Sequence, residues 1–262
     1  MKNINLYGNI TRDTIFNFKE FKLLHSNSSH SGSERLGGLA NIVKAIREVS
    51  DVRINIHSSL REVDKKALEQ YCNLKVDFTE SQTASAFILE TPLGKTSAVN
   101  WGSQKIPFLK KEGWNHISYL DKIDNIEEAL SLGDVNSVDL CGKDYPKKKR
   151  AALMRVFKNT DYLIISDHEL NSLTLGKVGP LIKVVKKAVI IHSRKGCQLV
   201  EKNGRCTFKA PVFLKNIKLV GAGDAFVALF ILYSIQNKNA RSAVEKANEQ
   251  TGSLLKKINS YD

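Results

Sequence analysis

The sequence predicts an α/β fold, in which a mostly parallel central sheet carries helices on both faces and a small β lid. From residue 116 onward, short apolar runs typical of buried strands alternate with stretches that have apolar residues at helical spacing. Two earlier segments, 14–24 and 84–102, do not fit this alternation and indicate a separate small sheet. The length of 262 residues predicts one large domain, or one domain with a small appendage, and we take 1–262 as a single domain. The 42% hydrophobic and 26% charged content is typical of a soluble globular protein.

The first third of the chain begins the alternation of strands and helices. A short apolar strand at 4–7 ends at Gly8, and 14–24 alternates apolar and polar residues as a half-exposed strand does. The remaining elements predicted here are a helix at 37–49, a strand at 52–57 and a helix at 60–72.

The segment 84–102 contains two strand-like runs joined by Pro92, Leu93 and Gly94, which is the pattern of a β-hairpin with a short loop. We expect this hairpin and the 14–24 strand to form a lid over a ligand site. The 14–24 strand is predicted to be exposed, so it could pair with a second copy of the chain to form a homodimer.

The second half of the chain follows the α/β pattern throughout. The predicted strands are 116–120, 137–141, 161–165 and 187–192, followed by a hairpin at 198–208 around Asn203 and Gly204. The predicted helices are 126–132, 146–157, 178–186, 224–236 and 240–258. Such alternation is typical of a parallel sheet covered on both faces.

Composition narrows the classes of function. The net charge is +13, but the lysines are spread along the whole chain, which favours anionic small molecules over nucleic acid. No apolar run reaches 18 residues, so no membrane span is expected. The N-terminus lacks the apolar region of a secretory signal, and four scattered cysteines suit reduced thiols, so a cytoplasmic location is expected.

The stretch from Gly221 to Asp224 is the strongest candidate for chemistry. Apolar spacing after it predicts a helix that begins near Gly223, and a helix N-terminus with preceding glycines can bind an anion through backbone N–H groups. An aspartate beside that anion can accept a proton from a hydroxyl, as phosphoryl transfer to an alcohol requires. The same residues also fit an ordinary glycine turn whose aspartate only complements the helix dipole, and on their own they leave both interpretations open.

The motif GAGDAF resembles the C-terminal signature of the PfkB/ribokinase family of carbohydrate kinases. The turn from Gly8 to Asp13 resembles the family's G-x-I-x-x-D element, and Gly37 to Asn41 resembles its GG-x-x-N element. The resemblance spans the chain and implies a ribokinase-like fold and an ATP-dependent, Mg²⁺-using kinase that phosphorylates a hydroxyl of a sugar or sugar phosphate. The GG-x-x-N spacing and the serine in the 191–196 segment favour the bacterial heptose-phosphate kinase branch.

The resemblance also implies roles for particular residues. Asp224 is the expected general base, and the backbone N–H groups of Gly221, Ala222 and Gly223 are the expected anion hole. On the substrate side the expected residues are Asp13, Gly37, Gly38 and Asn41, with Arg12 and Arg35 as clamps for an anionic acceptor. On the nucleotide side they are Ser166, Glu169, Ser193, Gly196 and Asn248, and Glu169 is also expected to help hold Mg²⁺, through water.

The chain departs from the family pattern at several positions. Lys218 and Val220 replace an aspartate and a threonine before the GAGD motif, and Ser166 and Ile191 replace an asparagine and a threonine of the nucleotide side. These departures keep two alternatives open. One is a nucleoside or other small-alcohol kinase, and the other is a catalytically weak relative that binds a nucleotide or sugar phosphate as a sensor.

Overall fold

In the computed structural model, the described residues form a nine-stranded sheet, a separate four-stranded sheet and helices that pack on the larger sheet. The described residues are 3–19, 21–22, 28–29, 31–69, 75–80, 82–91, 94–100, 106, 112–120, 123, 126, 130, 134–141, 150–193, 195–209, 221–237 and 239–259.

The large sheet confirms the predicted, mostly parallel α/β architecture. Its strands are β1 (Ile4–Tyr7), β4 (Ile54–Leu60), β5 (Lys75–Glu80), β8 (Trp114–Ser118), β9 (Val135–Asp139), β10 (Tyr162–Ser166), β11 (Ala188–Ser193), β12 (Gly196–Glu201) and β13 (Gly204–Lys209). Their order is β13-β12-β11-β10-β9-β8-β1-β4-β5. All neighbouring pairs are parallel except β11 with β12 and β12 with β13. The strand β5 was not predicted.

The four-stranded sheet, called the small sheet below, differs from the prediction in three ways. It consists of β2 (Ile10–Asn17), β3 (Ser31–Gly38), β6 (Ala84–Thr91) and β7 (Gly94–Asn100), in the order β3-β2-β6-β7. The strand predicted at 14–24 starts earlier and ends at Asn17, and β3 was not predicted. β3 and β6 occupy both sides of β2, so residues 10–17 have no free edge for a second copy, contrary to the expected exposed strand, and the possible homodimer stays a prediction.

Helices cover both faces of the large sheet, as predicted. Among the described residues they are α1 (Leu39–Arg47), α2 (Glu62–Glu69), α3 (Arg150–Phe157), α4 (Asp167–Thr174), α5 (Gly179–Ile182), α6 (Ala222–Asn237) and α7 (Ala240–Asn259). Most of the helix predicted at 126–132 lies outside the described residues. Successive residues of β10 point to opposite faces: Ile164 packs with α1, α6 and α7, whereas Leu163 packs with α3, α4 and α5. Among the described residues, no helix is long and apolar enough to cross a membrane.

A row of asparagine side chains crosses the middle of the large sheet. Asn136, Asn115, Asn5 and Asn55 lie opposite one another on β9, β8, β1 and β4. Asn55 Nδ2 donates to Asn5 Oδ1 at 2.7 Å, and Asn5 Nδ2 donates to Asn115 Oδ1 at 2.9 Å. All four are buried, so each amide depends on its neighbours for hydrogen bonds that water supplies elsewhere.

Replacing Asn5 by alanine is expected to destabilise the fold by about 2–6 kcal/mol, because it leaves Asn55 Nδ2 and Asn115 Oδ1 buried without these partners. Urea unfolding of both proteins measures the difference. Asn17→Ala is the matched control, because its bond to Ser31 Oγ at 3.0 Å is exposed. If Asn5→Ala lowers the free energy of unfolding no more than the control does, the row of asparagines does not stabilise the fold as proposed.

Candidate active site

The predicted helix start lies where the glycine motif requires it. Gly221 has φ 87°, a left-handed value that favours glycine, and α6 begins at the next residue. Ala225 N–H donates to Gly221 O at 2.9 Å and closes the first turn. The first N–H groups of a helix have no partner within the helix, so the N–H groups of Ala222 and Gly223 are suited to bind an anion. Asp224 stands in the same turn.

Asn41 holds the carboxylate of Asp224. Its Nδ2 donates to Asp224 Oδ2 at 2.7 Å, although the two residues are 183 positions apart. The contact forms because α1, which carries Asn41, packs directly against α6. Gly221 also lies close, since a Cβ added there would be 3.6 Å from the Asn41 side chain. The structure therefore joins the GG-x-x-N element to the GAGD element.

The glycine pair makes room for Asp13. A Cβ added at Gly37 would lie 1.9 Å from Asp13 Oδ2, so only a residue without a side chain fits beside this buried carboxylate. Gly38 has φ 61°, and a Cβ there would lie 2.5 Å from the carbonyl oxygen of Asn9. The predicted substrate residues Asp13, Gly37 and Gly38 are thus adjacent in space.

The two arginines predicted as anion clamps lie in different surroundings. Arg35 is directly opposite Asp13 in the antiparallel pair of β2 and β3, so the two side chains share a face. Arg12 is the neighbour of Asp13 along β2 and points to the other face. Its guanidinium contacts Asp64 at 2.5 Å and Glu34 at 3.7 Å.

Ser166 and Glu169 form a capping box at the start of α4. Ser166 N–H donates to Glu169 Oε2 at 2.6 Å, the Ser166 hydroxyl donates to the same oxygen at 2.9 Å, and Glu169 N–H donates to Ser166 Oγ at 3.2 Å. The sequence signal was present, because serine followed three positions later by glutamate is the capping-box pattern. Both residues therefore have a structural role in addition to any contact with a nucleotide or metal ion.

The other predicted nucleotide residues lie at turns and helix contacts. Ser193 Oγ accepts from Lys195 N–H at 3.1 Å and donates to Gly196 O at 3.3 Å, and Gly196 has φ 122°. Asn248 Nδ2 donates to the carbonyl oxygen of Lys209 at 2.8 Å, which fixes α7 to the end of β13. A contact of Ser193, Gly196 or Asn248 with ATP stays a prediction.

His192 was not predicted and lies beside the glycine motif. A Cβ added at Gly223 would be 3.5 Å from His192 Cε1, and the imidazole lies near the Phe226 ring, with the ring centroids 5.8 Å apart. Burial lowers the pKa of His192 to about 4, so the imidazole is neutral at pH 7. Its position at the end of β11 was the available signal, because ligands of parallel sheets bind at the carboxyl ends of strands.

Acidic groups gather at the same edge of the sheet. Burial raises the pKa of Asp139, and the nearby charges of Glu169 and Asp224 raise it further. Asp139 ends β9 and was not predicted. The described residues contain no group of three or more His, Cys, Asp or Glu side chains placed to hold a metal ion. Mg²⁺ does not require such a group, because it keeps several waters and is usually bound through one or two carboxylates together with phosphate oxygens of a substrate.

Two residues at this edge have left-handed backbone angles that are rare outside glycine. Tyr119, just after β8, has φ 60°, and Cys141, two residues after β9, has φ 58°. Cys141 N–H donates to Asp139 Oδ1 at 2.9 Å, which supports its turn. Strained backbone of this kind concentrates at functional sites.

Lys218 and Val220, the departures before the glycine motif, lie outside the described residues.

The α/β fold is ribokinase-like. The family described as pfkB family carbohydrate kinase matches residues 67–255. The chain therefore belongs to the pfkB family of carbohydrate kinases, which are phosphotransferases. The predicted family is confirmed, whereas the roles of the individual motif residues and the heptose-phosphate branch stay predictions.

Solved structures share the fold over nearly the whole chain. Adenosine kinase from Sinorhizobium meliloti has a TM-score of 0.81 at 14% identity and covers 100% of this chain and 99% of its own. A nucleoside kinase from Methanocaldococcus jannaschii, an archaeal member of the ribokinase family, has a TM-score of 0.73 at 20% identity. The match covers 98% of this chain and 99% of the nucleoside kinase. Ribokinase from Cryptococcus neoformans in complex with ADP has a TM-score of 0.74 at 15% identity, and the match covers 98% of this chain and 100% of the ribokinase. No curated protein sequence matches the chain.

Proposed function

We propose that the protein is an ATP-dependent phosphotransferase that acts on a hydroxyl of a sugar or sugar phosphate. The observation that carries the proposal is the Asn41–Asp224 hydrogen bond of 2.7 Å at the start of α6, directly after Gly221 with φ 87°. An oriented carboxylate beside helix N–H groups that have no acceptor within the helix combines a base with an anion hole. A glycine turn with only a dipole-compensating aspartate needs no asparagine from a distant helix.

In the proposed mechanism Asp224 accepts the proton of the acceptor hydroxyl. The acceptor oxygen forms a bond to the γ-phosphorus of ATP while the bond from that phosphorus to the β–γ bridging oxygen breaks, and ADP leaves. The N–H groups of Ala222 and Gly223 stabilise the charge on the transferred phosphoryl group. Glu169, with Asp139 near it, would hold Mg²⁺, and the bound ion would neutralise phosphate charge.

Asp13 holds the acceptor on the other side of the site. Its carboxylate can accept hydrogen bonds from two hydroxyls of a sugar. Gly37 leaves the space for this carboxylate, and Arg35 lies opposite Asp13 in the sheet. A guanidinium there suits an acceptor that already carries a phosphate. The small sheet, which carries these residues, would act as the lid that excludes water during transfer.

A second candidate function is a nucleoside kinase. The face of the small sheet that carries Asp13 continues into an apolar patch of Ile15, Ala86 and Ile88. An apolar patch next to a hydroxyl-binding carboxylate suits a ribose that bears a nucleobase. The similarity to solved adenosine and nucleoside kinases supports the same reading.

An acceptor panel in an ATP-consumption assay tests the proposal. The panel contains neutral sugars, sugar phosphates including heptose phosphates, and nucleosides. We expect turnover of a sugar or sugar phosphate, with ADP and the phosphorylated acceptor formed in equal amounts. Fastest turnover of a nucleoside would replace the first candidate by the second. Binding of these ligands without any turnover would contradict both and support a sensor.

A further inference from the structure

Two strands of the small sheet start side by side next to α2. β2 begins at Ile10, β6 begins at Ala84, and the two strands run parallel with Thr11 opposite Ala84. Because Asp13 lies only three residues into β2, the position of its carboxylate depends on how these strand starts are held.

A buried carboxylate on α2 contacts both strand starts. Asp64 is 1% exposed, and its Oδ1 accepts a hydrogen bond from Arg12 Nη2 of β2 at 2.5 Å. Its Oδ2 accepts from the hydroxyl of Thr83, the residue before β6, at 2.5 Å, and from Arg61 Nε at 3.1 Å. Arg61 N–H also donates to Thr83 Oγ1 at 2.9 Å. These four residues are called the Asp64 cluster.

The Asp64 cluster differs from an ordinary surface ion pair, because its carboxylate is buried although the two arginine side chains are partly exposed. Burial alone would raise the pKa of Asp64, but the hydrogen bonds from Thr83, Arg12 and Arg61 together lower it below its usual value. Charge-assisted bonds to a desolvated carboxylate are among the stronger hydrogen bonds in proteins. By contrast, Lys65 and Glu69 on the same helix form a pair of 3.8 Å near the surface, a kind that contributes little.

We propose that Asp64 is a positioning residue, which fixes the start of β2 through Arg12 and thereby aims Asp13 at the acceptor. Arg12 and Asp13 are consecutive, so their side chains point to opposite faces of β2. Anchoring Arg12 on the outer face fixes the backbone that carries Asp13 on the inner face. The Thr83 contact holds the adjoining start of β6 at the same point. This role rests on the proposed function, in which Asp13 binds the acceptor.

The kinetic test compares Asp64→Asn with the wild-type enzyme. Asn keeps the shape of the side chain but removes the charge, so the acceptor KM should rise about tenfold, the loss expected for one misaligned hydrogen bond to a charged group. The kcat at saturating acceptor and the KM for ATP should stay within about threefold, because the α6 site is not altered. Glu69→Gln on the same helix is the matched control and should change neither constant.

A double variant shows whether Arg12 transmits the effect. Arg12→Met should also raise the acceptor KM, and the double variant should be no worse than Asp64→Asn alone, since the Arg12 contact is already disrupted in that variant. Additive losses would overturn the proposal. The proposal would also be overturned if Arg12→Met raised the KM of phosphorylated acceptors alone while Asp64→Asn left every acceptor KM unchanged. Arg12 would then be the anion clamp.

Hydrogen–deuterium exchange without an acceptor tests the anchoring independently of the kinase activity. In Asp64→Asn, amides of residues 10–17 and 84–91 should exchange faster, whereas those of 162–166 and 188–193 should not change. Unchanged exchange in β2 and β6 would overturn the proposal even if the acceptor panel succeeds. If the β2 and β6 amides exchange faster but the panel identifies no acceptor, the anchoring stands and the result counts only against the proposed function. If these amides exchange faster but the acceptor KM is unchanged, the positioning role is overturned.

Discussion

Replacing Asp224 by Asn is expected to lower kcat by about a hundredfold or more, the size of effect expected when a general base is lost. An asparagine at this position can still form a hydrogen bond with Asn41, so the helix start should keep its shape. Binding of ATP should therefore change little. Steady-state kinetics at saturating ATP and acceptor, together with ATP binding by calorimetry, measure both quantities.

The matched control for this variant is Asp167→Asn. Asp167 is also an acidic residue in the first turn of a helix, α4, and it is exposed. If first-turn charge alone matters, both variants should lose a similar, small amount of stability, about 0.3–1 kcal/mol, and keep their activity. An Asp224→Asn enzyme that retains more than about a tenth of wild-type kcat would show that Asp224 is not the base.

Replacing Gly37 by Ala is expected to raise the acceptor KM about tenfold to a hundredfold. The new Cβ would lie 1.9 Å from Asp13 Oδ2 and 2.6 Å from its Cγ, so the carboxylate must turn away. A lost hydrogen bond to a charged group of about 1.5–3 kcal/mol corresponds to this range. Initial rates over a range of acceptor concentrations give the acceptor KM. The KM for ATP should not rise with it.

Gly32→Ala on the same strand is the control for Gly37→Ala. A Cβ at Gly32 would meet only ordinary contacts, the nearest at 3.7 Å, and it lies away from Asp13 at the far end of β3. Equal kinetic effects of the two variants would mean that the strand as a whole, and not the space beside Asp13, explains the loss.

Much of the large sheet was predictable because its signals are local. The apolar runs after residue 116 predicted β8, β9, β10 and β11 within about two residues of their observed bounds. The strand β3 was missed because SGSERLGG has no apolar alternation, and its residues form a strand through pairing with β2 along the whole length. Tertiary pairing of this kind overrides local propensity.

The candidate site was predictable only in part for the same reason. Asp224, Asp13 and the glycine pair stand in short motifs, so their positions could be inferred from sequence and resemblance. The contact of Asn41 with Asp224, and the contacts of Asp64 with Arg12 and Thr83, join residues distant in sequence. No local pattern reports such pairs, and the structure was needed to find them. Their roles in binding and catalysis remain proposals.

The central claim is that the protein transfers the γ-phosphoryl group of ATP to an acceptor hydroxyl with Asp224 as the base. The most direct measurement uses ATP labelled with ³²P at the γ-phosphate and follows the label in a single turnover with the acceptor that the panel identifies. We predict that the label appears on the acceptor with the wild-type enzyme and about a hundredfold more slowly with Asp224→Asn. Label released only as inorganic phosphate, or transferred equally fast by both enzymes, would contradict the claim.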